Sequence, residues 1–320
     1  MAKKILAADI GGTNSRFAHF ETDLKSSLDM VDSKWLATGE ADSFHELIGK
    51  LLESEFSLGP EQADIIVIAG AGPVENKTRI SPPNISWDID ISPGSTTPDL
   101  GRAVLINDFV AQAYACRSDV GQTGHEIIEG DKIQDGVSAV IGAGTGLGKA
   151  YLVVGPGGEF QAFPSEGGHC LFPFTGSREY AFQNFYRQRS GAEQITGNLV
   201  LSGKGLTFLH WFLAGEKLDP REVASLFNPD SDTLAWAAKF YGRVCREFAL
   251  EVLPYGGLYV AGGIAAKNPE ILEHQNFRDE FLYSPTMGHL LAKFSVTLLD
   301  NQNSGLWGAA VLGRQLLGKS

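Results

Sequence analysis

The feature of this 320-residue sequence that most constrains its fold is a pattern that occurs twice: an apolar strand, a glycine-rich turn and a second apolar strand. The first copy comprises the strand 4–8, the turn 9–14 and the strand 16–20, and the second comprises 137–141, 142–148 and 149–154. Each copy is typical of a β-hairpin. The repetition predicts two halves of similar organisation, and the length of the chain also suits two domains.

Apolar spacing predicts the remaining elements. Further strands are expected at 33–38, 64–69, 103–106, 258–260 and 296–299, and helices at 43–56, from about 109, and at 178–188, 205–214, 221–227, 231–253 and 305–317. Ser43 is the expected N-cap of the first helix. Since no linker composition marks a boundary, the division between the halves, near Asp108, follows from the repeated pattern alone.

Charge and cysteine content restrict the classes of partner. The net charge of −12 argues against nucleic acid and anionic membranes, although backbone amides and metal ions can still bind phosphate locally. The three cysteines are far apart and match neither a disulfide framework nor metal-ligand spacing. The N-terminus has neither a signal peptide nor a membrane-spanning run, so a cytoplasmic location is expected.

The first glycine turn follows an acidic residue at the end of a buried strand. A carboxylate at Asp9 is costly there unless it is paired, hydrogen-bonded or bound to a metal. The turn 11–14 offers bare backbone amides, a hydroxyl and an amide side chain, which are groups that bind phosphate. The alternative is a plain hairpin in which Asp9 accepts hydrogen bonds from the turn amides.

The second glycine turn, 142–148, matches neither common nucleotide motif. It is not a Walker A loop, because Ala143 occupies the first glycine position and Ala150 replaces the Ser/Thr after the lysine. It is not the dinucleotide fingerprint, because Leu147 occupies the third glycine position and a strand follows. A structural hairpin is the alternative, but four glycines at alternate positions cost folding entropy, which favours a phosphate-binding turn with Thr145 as hydroxyl donor.

Two further polar segments carry candidate side chains. Asn107 and Asp108 end a strand just before a helix, a position where ligands gather in α/β proteins, although Asp108 can equally be a helix cap. Glu166 and His169, separated by two glycines, can point at one small polar ligand or lie in an exposed loop. They do not form a metal motif, because no second histidine lies at ligand spacing.

Taken together, these segments resemble bacterial ATP-dependent glucokinases. Five motifs occur in the order of that family: Asp9-Ile-Gly-Gly-Thr-Asn14, Ile106-Asn-Asp-Phe109, Gly142-Ala-Gly-Thr-Gly-Leu-Gly148, Glu166-Gly-Gly-His169 and Ala261-Gly-Gly-Ile264, with Gly305-Leu-Trp-Gly-Ala-Ala310 near the C-terminus. The resemblance runs from about residue 4 to the C-terminus. The related repressor/kinase group is excluded, since its cysteine-rich zinc motif is absent and only Cys170 lies nearby.

The resemblance implies the actin-like, ribonuclease-H-like fold, with two α/β domains around a central cleft. The small domain would comprise 1–107 plus 301–320, and the large domain 108–300. The implied nucleotide-binding residues are Ala8, Asp9, Ile10, Gly11, Gly12 and Thr13 in one phosphate loop, Gly144, Thr145 and Gly146 in the other, and Gly262 and Gly263 against the adenosine. The implied sugar-binding residues are Asn107, Asp108, Glu166 and His169.

The implied reaction is transfer of the γ-phosphoryl group of ATP to the 6-hydroxyl of glucose, with Asp108 as the catalytic base and Asp9 near Mg²⁺. One departure concerns a further sugar-binding glutamate of the family. Ungapped alignment places Asn198 there, and a shift would offer Glu193. This departure leaves kinases of other hexoses as the nearest alternative. A non-catalytic sugar sensor and a phosphatase on the same fold are the other two. A homodimer is the default assembly.

Overall fold

The structure, a computed structural model, describes residues 2–24, 27–96 and 100–319. The strands are β1 (Lys3–Ile10), β2 (Asn14–Thr22), β3 (Leu28–Ala37), β4 (Ile65–Gly70), β5 (Arg79–Ile80), β6 (Ile89–Asp90), β7 (Ala103–Asn107), β8 (His125–Ile128), β9 (Ser138–Ala143), β10 (Leu147–Val154), β11 (Phe160–Ser165), β12 (Leu258–Ala261) and β13 (Val296–Leu298). The helices are α1 (Phe44–Glu53), α2 (Asp108–Ala115), α3 (Asp119–Gln122), α4 (Gly176–Ser190), α5 (Gly197–Val200), α6 (Gly203–Ala214), α7 (Pro220–Ser225), α8 (Asp232–Val252), α9 (Gly263–Lys267), α10 (Glu270–Glu273), α11 (Gln275–Leu282), α12 (Gly288–Leu291) and α13 (Ser304–Leu317).

Two compact units are present. The first, here called the N-terminal unit, comprises Met1–Thr123, Val154–Phe163 and Asn301–Ser320, and the second unit comprises Gly124–Val153 and Pro164–Asp300. The sheet of the N-terminal unit has the strand order β3-β2-β1-β4-β7, with β1 and β2 antiparallel and β1, β4 and β7 parallel. Its register aligns Ile10, Gly70 and Asn107. The C-terminal ends of the three parallel strands therefore lie at one edge of the sheet.

The sheet of the second unit repeats this topology. Within that unit its order is β10-β9-β12-β13-β8, with β9 and β10 antiparallel and β9, β12 and β13 parallel. In both units a strand, a glycine turn and a returning strand are thus followed by two parallel neighbours. The repeated organisation predicted from the two glycine turns is confirmed.

The N-terminal unit extends beyond the predicted boundary at residue 107. It includes residues 108–123 and 154–163, which were expected in the large domain. The physical reason is packing around the C-terminal helix: α2 lies against α13, and Gly308 comes so close to the Ala111 carbonyl that a side chain would not fit. The Phe160 amide also donates to Gln315 Oε1 at 2.6 Å.

Each unit has its own apolar core. In the N-terminal unit, α1 packs its buried Phe44, Leu47 and Ile48 on the sheet, and Ser43 caps it by accepting a hydrogen bond from the Glu46 amide at 3.1 Å, as predicted. The second unit has an aromatic core in which Phe182 and Phe240 stack with centroids 5.9 Å apart.

Across the ranges that the structure describes, no helix is long and apolar enough to cross a membrane.

Candidate active site

The conformation of the first glycine turn is fixed by a backbone hydrogen bond and by Thr38. The Gly11 amide donates to the Asn14 carbonyl at 3.1 Å, and the Thr38 hydroxyl donates to the Gly11 carbonyl at 2.7 Å. The amides of Gly12 and Thr13 donate to no group in the described part of the chain, and both residues are exposed. Two backbone donors are therefore available to an anion at the position predicted for a phosphate loop.

Asp9, at the end of β1, is paired with a cation on the neighbouring strand. Arg16 is its cross-strand partner in the antiparallel register, and Arg16 Nη1 lies 3.1 Å from Asp9 Oδ2. The guanidinium also lies over the Trp35 ring, 4.5 Å from its centroid. Burial raises the pKa of Asp9, and the charge and hydrogen bond of Arg16 oppose that rise. Arg16 thus stabilises a charged carboxylate where burial alone would favour the neutral acid.

Gly305, in the first turn of α13, packs against the carboxylate of Asp9. Gly305 lies so close that an added Cβ would be 2.9 Å from Asp9 Oδ2 and 3.4 Å from Gln112 Nε2. Any side chain at this position would displace the carboxylate. This contact gives a physical reason for a glycine at the start of the C-terminal helix.

Asn107 caps α2 and orients its neighbour Asp108. Asn107 Oδ1 accepts from the amides of Phe109 at 2.9 Å and Val110 at 3.2 Å. Asn107 Nδ2 donates to the Gly72 carbonyl at 3.1 Å and to Asp108 Oδ1 at 2.9 Å. These four bonds use the full hydrogen-bonding capacity of the amide. Of the two roles weighed for Asp108, the N-cap therefore belongs to Asn107 instead.

Asp108 is the first residue of α2 and has one oxygen left for a ligand. Its Oδ1 accepts from the Phe109 amide at 3.0 Å and from Asn107, whereas Oδ2 accepts no bond from the residues described. Burial, with a further contribution from the negative charge of Asp9, raises the pKa of Asp108 to about 7 against the lowering effect of these hydrogen bonds. A carboxylate with a pKa near neutrality is suited to accepting a proton.

The second glycine turn lies in the second unit between β9 and β10. The Gly144 amide donates to the Gly146 carbonyl at 2.8 Å, and the amides of Thr145 and Gly146 donate to no group within the described ranges. Thr145 is exposed. This turn therefore presents free donors at its tip, as the first turn does in the N-terminal unit.

Glu166 and His169 lie on one short 3-10 turn of the second unit. Their side chains are both 67% exposed, and His169 Nε2 lies 3.9 Å from Glu166 Oε2. The structure thus brings the two predicted sugar ligands together with their polar atoms exposed. In the same unit, Gly262 adopts a φ of +88° between β12 and α9, and the space next to Gly263 is open.

Asn198, on α5, contacts the second glycine turn. Its Oδ1 accepts a hydrogen bond from the Leu147 amide at 2.5 Å. Glu193, the alternative for the same family position, is exposed and precedes α5.

Two residues that contact the predicted site were not singled out from the sequence. Arg16 could have been identified from the sequence, because the register of a hairpin with its turn at 11–13 pairs it with Asp9. Tyr241 could not have been identified in this way, since it lies about 100 residues from Ala143 in the sequence. The Ala143 amide donates a hydrogen bond to the Tyr241 hydroxyl at 3.1 Å.

Comparisons with known proteins identify the family and the fold. A family model described as glucokinase matches residues 6–316. A glucokinase of Nostoc sp. is 30% identical, covering 98% of this chain and 99% of that protein. The crystal structure of a glucokinase from an Antarctic psychrotroph has a TM-score of 0.82 at 25% identity and covers 99% of both chains.

A more distant structure shares the fold alone. The glucokinase from Balamuthia mandrillaris, crystallised in complex with glucose, has a TM-score of 0.77 at 21% identity, covering 98% of this chain and 94% of that one. The predicted actin-like, ribonuclease-H-like α/β fold is confirmed by these likenesses.

Proposed function

Because this chain belongs to the glucokinase family, we propose that it transfers the γ-phosphoryl group of ATP to the 6-hydroxyl of glucose. The products would be glucose 6-phosphate and ADP. The observation that carries the proposal is the hydrogen bonding of Asp108. Its Oδ1 accepts hydrogen bonds from Asn107 and the Phe109 amide, whereas its Oδ2 accepts none from the residues described.

Asp108 acts as the general base in this proposal. A sugar hydroxyl is a weak nucleophile, so accepting its proton as it attacks the γ-phosphorus lowers the barrier. The hydrogen bonds from Asn107 hold the carboxylate in one orientation, so that Oδ2 is presented to the hydroxyl. Asn107, whose amide is fully used inside the protein, then serves mainly to position Asp108.

The two glycine turns are the proposed phosphate-binding elements. In the N-terminal unit the free amides of Gly12 and Thr13 would donate to phosphate oxygens, and in the second unit those of Thr145 and Gly146 would do the same. Gly262 and Gly263 would adjoin the adenosine. Because phosphoryl transfer depends mainly on positioning and charge neutralisation, fixed backbone donors supply much of what is needed.

The sugar is bound in this proposal by exposed side chains of the second unit. Glu166 accepts hydrogen bonds from hydroxyl groups, and His169, 3.9 Å away, can donate or accept. Two groups on one short turn fix the orientation of a small polyhydroxylated ligand better than either alone.

Asp9 is the residue that fits a magnesium ion. Its Oδ2 is occupied by Arg16, but Oδ1 accepts no bond from the described residues, and Mg²⁺ commonly takes one or two carboxylates besides phosphate and water. When bound, Mg²⁺ would neutralise charge on the phosphates of ATP. Within the residues described, no cluster of three His, Cys, Asp or Glu side chains forms a metal site by itself.

The proposal is tested by measuring ADP release with ATP and Mg²⁺ against glucose, mannose, fructose, glucosamine and no sugar, and by locating the phosphate in the product. We expect the highest kcat/KM for glucose and a phosphate on its 6-hydroxyl. A higher value for another hexose would make the chain a kinase of that sugar. Sugar binding without ADP release would favour a sensor, and phosphate release from a sugar phosphate without ATP would favour a phosphatase.

The same preparation tests the assembly and the phosphoryl donor. We place the reaction in the cytoplasm, where ATP is available, and expect the protein to form a closed homodimer. Light scattering gives the assembly, and ADP in place of ATP tests the phosphoryl donor.

A further inference from the structure

The short helix α5 lies beside both the proposed sugar-binding turn and the proposed nucleotide turn of the second unit. The Gly197 amide donates to the Cys170 carbonyl at 3.0 Å, directly after the turn that carries His169. A Cβ added to Gly197 would lie 3.1 Å from Leu147 Cδ2 and 3.3 Å from the Gly168 carbonyl. Gly168 itself is packed so tightly on the Leu147 carbonyl that no side chain fits. The three segments therefore meet at Leu147.

Asn198 stabilises this junction through a hydrogen bond whose donor and acceptor are unambiguous. The Leu147 amide can only donate, so the group 2.5 Å from it must be the side-chain oxygen of Asn198. Gly146 is next to the same side chain, because a Cβ there would overlap Asn198 Oδ1. Asn198 Oδ1 thus contacts the turn whose Thr145 and Gly146 amides remain free.

A tyrosine hydroxyl group holds the other end of the turn. Tyr241 is a buried residue of α8, and its Oη accepts a hydrogen bond from the Ala143 amide at 3.1 Å. The Gly203 amide adds a bond of 3.3 Å to the Gly144 carbonyl. Side chains therefore anchor residues 143 and 147, on either side of a tip rich in glycine, and the free amides lie between the anchors. Such anchoring reduces the conformational freedom that the tip would lose on binding a phosphate.

We propose that Asn198 is a positioning residue for the nucleotide turn, and that it acts through the Leu147 amide rather than as a direct ligand of the sugar. The inference rests on the proposed function and changes the role expected for this position, where the family resemblance implied a sugar contact. Tyr241 has the same role at the opposite end of the turn.

The test compares Asn198→Ala, Tyr241→Phe and Glu193→Gln with the wild-type protein. We expect Asn198→Ala and Tyr241→Phe each to raise the KM for ATP about tenfold, or ~1.4 kcal/mol, and to change the KM for glucose by less than about twofold. Glu193→Gln, which alters the other candidate for the sugar contact, should leave the KM for ATP unchanged and is the control for that constant alone.

Calorimetry with AMPPNP in the absence of sugar provides a readout that needs no turnover. Weaker AMPPNP binding by both variants, with thermal unfolding close to that of the wild type, supports the inference. A raised KM for glucose with an unchanged KM for ATP in Asn198→Ala overturns it, as does an unchanged AMPPNP affinity in that variant. If Asn198→Ala folds poorly, Asn198→Ser, a smaller change at the same position, replaces it and is judged by the same outcomes.

The same measurements separate this inference from the proposed function. A wild-type protein that binds AMPPNP but phosphorylates no hexose would refute the proposed function, and the calorimetric comparison would still test Asn198. A wild-type protein that binds no nucleotide would refute both.

Discussion

Arg16 and Asp9 face each other across the first hairpin, with Arg16 Nη1 3.1 Å from Asp9 Oδ2. The pair forms because the antiparallel register of β1 and β2 places the two residues opposite each other. Trp35, opposite Arg16 on β3, covers the guanidinium. The same hairpin thus supplies a cation to a largely buried carboxylate and exposes the amides of Gly12 and Thr13 in its turn.

Replacing Arg16 should weaken the use of ATP. In Arg16→Met the pKa of Asp9 is expected to rise, because burial is no longer opposed by the guanidinium. We expect kcat/KM for ATP to fall about tenfold or more, since a hydrogen bond to a charged group contributes about 1.5–3 kcal/mol. Steady-state kinetics with varied ATP measure the effect.

Trp35→Leu is the matched control for Arg16→Met. It removes the ring over the guanidinium but leaves the ion pair with Asp9 intact, so a decrease of only about two- to fivefold is expected. Equal losses in both variants would show that the hairpin as a whole, and not the ion pair, was disturbed.

Replacing the proposed base should affect turnover far more than sugar binding. Asp108→Asn keeps the shape of the side chain and an oxygen for the Phe109 amide, but its amide cannot accept a proton. We expect kcat to fall about 10²- to 10⁴-fold while the Kd for glucose changes less than about threefold. Asp119→Asn, which alters an exposed carboxylate of α3, is the control. A kcat for Asp108→Asn within tenfold of the wild type would refute the base role.

The activity should decrease on the acid side of neutrality. Burial and the charge of Asp9 raise the pKa of Asp108 to about 7, and a general base works only when deprotonated. We therefore expect kcat/KM for glucose to fall about tenfold per pH unit below pH 7 and to level off above it. A profile measured at saturating ATP, with unfolding checked over the same range, tests this. A flat profile between pH 5 and 8 would contradict it.

Acid should destabilise the second unit through Glu179, which is buried against Arg243. Arg243 Nη1 lies 2.5 Å from Glu179 Oε2, and Lys239 Nζ lies 2.8 Å from Oε1. Burial opposes the charged form, but the hydrogen bonds from Arg243, Lys239 and the Thr175 amide outweigh it and lower the pKa of Glu179 to about 2. The resulting stability is present above the unfolded pKa of about 4.5 and is lost as the pH falls towards 2.

Glu179→Gln tests this ion pair directly. It leaves Arg243 with Glu280 as its remaining carboxylate partner, and we expect a loss of about 3–5 kcal/mol in the free energy of unfolding at pH 7. The loss should become smaller as the pH falls from about 4.5 towards 2, since the wild type then loses the stability that the charge of Glu179 provides. Urea unfolding of both proteins at several pH values measures the difference, and Glu251→Gln, at an exposed position of α8, is the control. A difference that does not change with pH would show that the charge of Glu179 is not its source.

The local sequence determined the secondary structure that carries the site. Apolar runs followed by glycine clusters specify the hairpins around 9–14 and 142–148, because both signals act within a few residues. Ser43 as an N-cap was predictable for the same reason. Very short elements such as α5 and α9 were not predicted, since four or five residues carry too little periodicity.

Only the tertiary structure decided which groups touch. The capping of α2 by Asn107, which leaves Asp108 Oδ2 free, depends on the Gly72 carbonyl from another segment of the chain. The bonds from Ala143 to Tyr241 and from Leu147 to Asn198 join residues about 50 to 100 positions apart, and no local pattern encodes such distances. The sequence thus specified two glycine turns with phosphate-binding chemistry, and packing between remote segments determined which side chains hold the second turn in place.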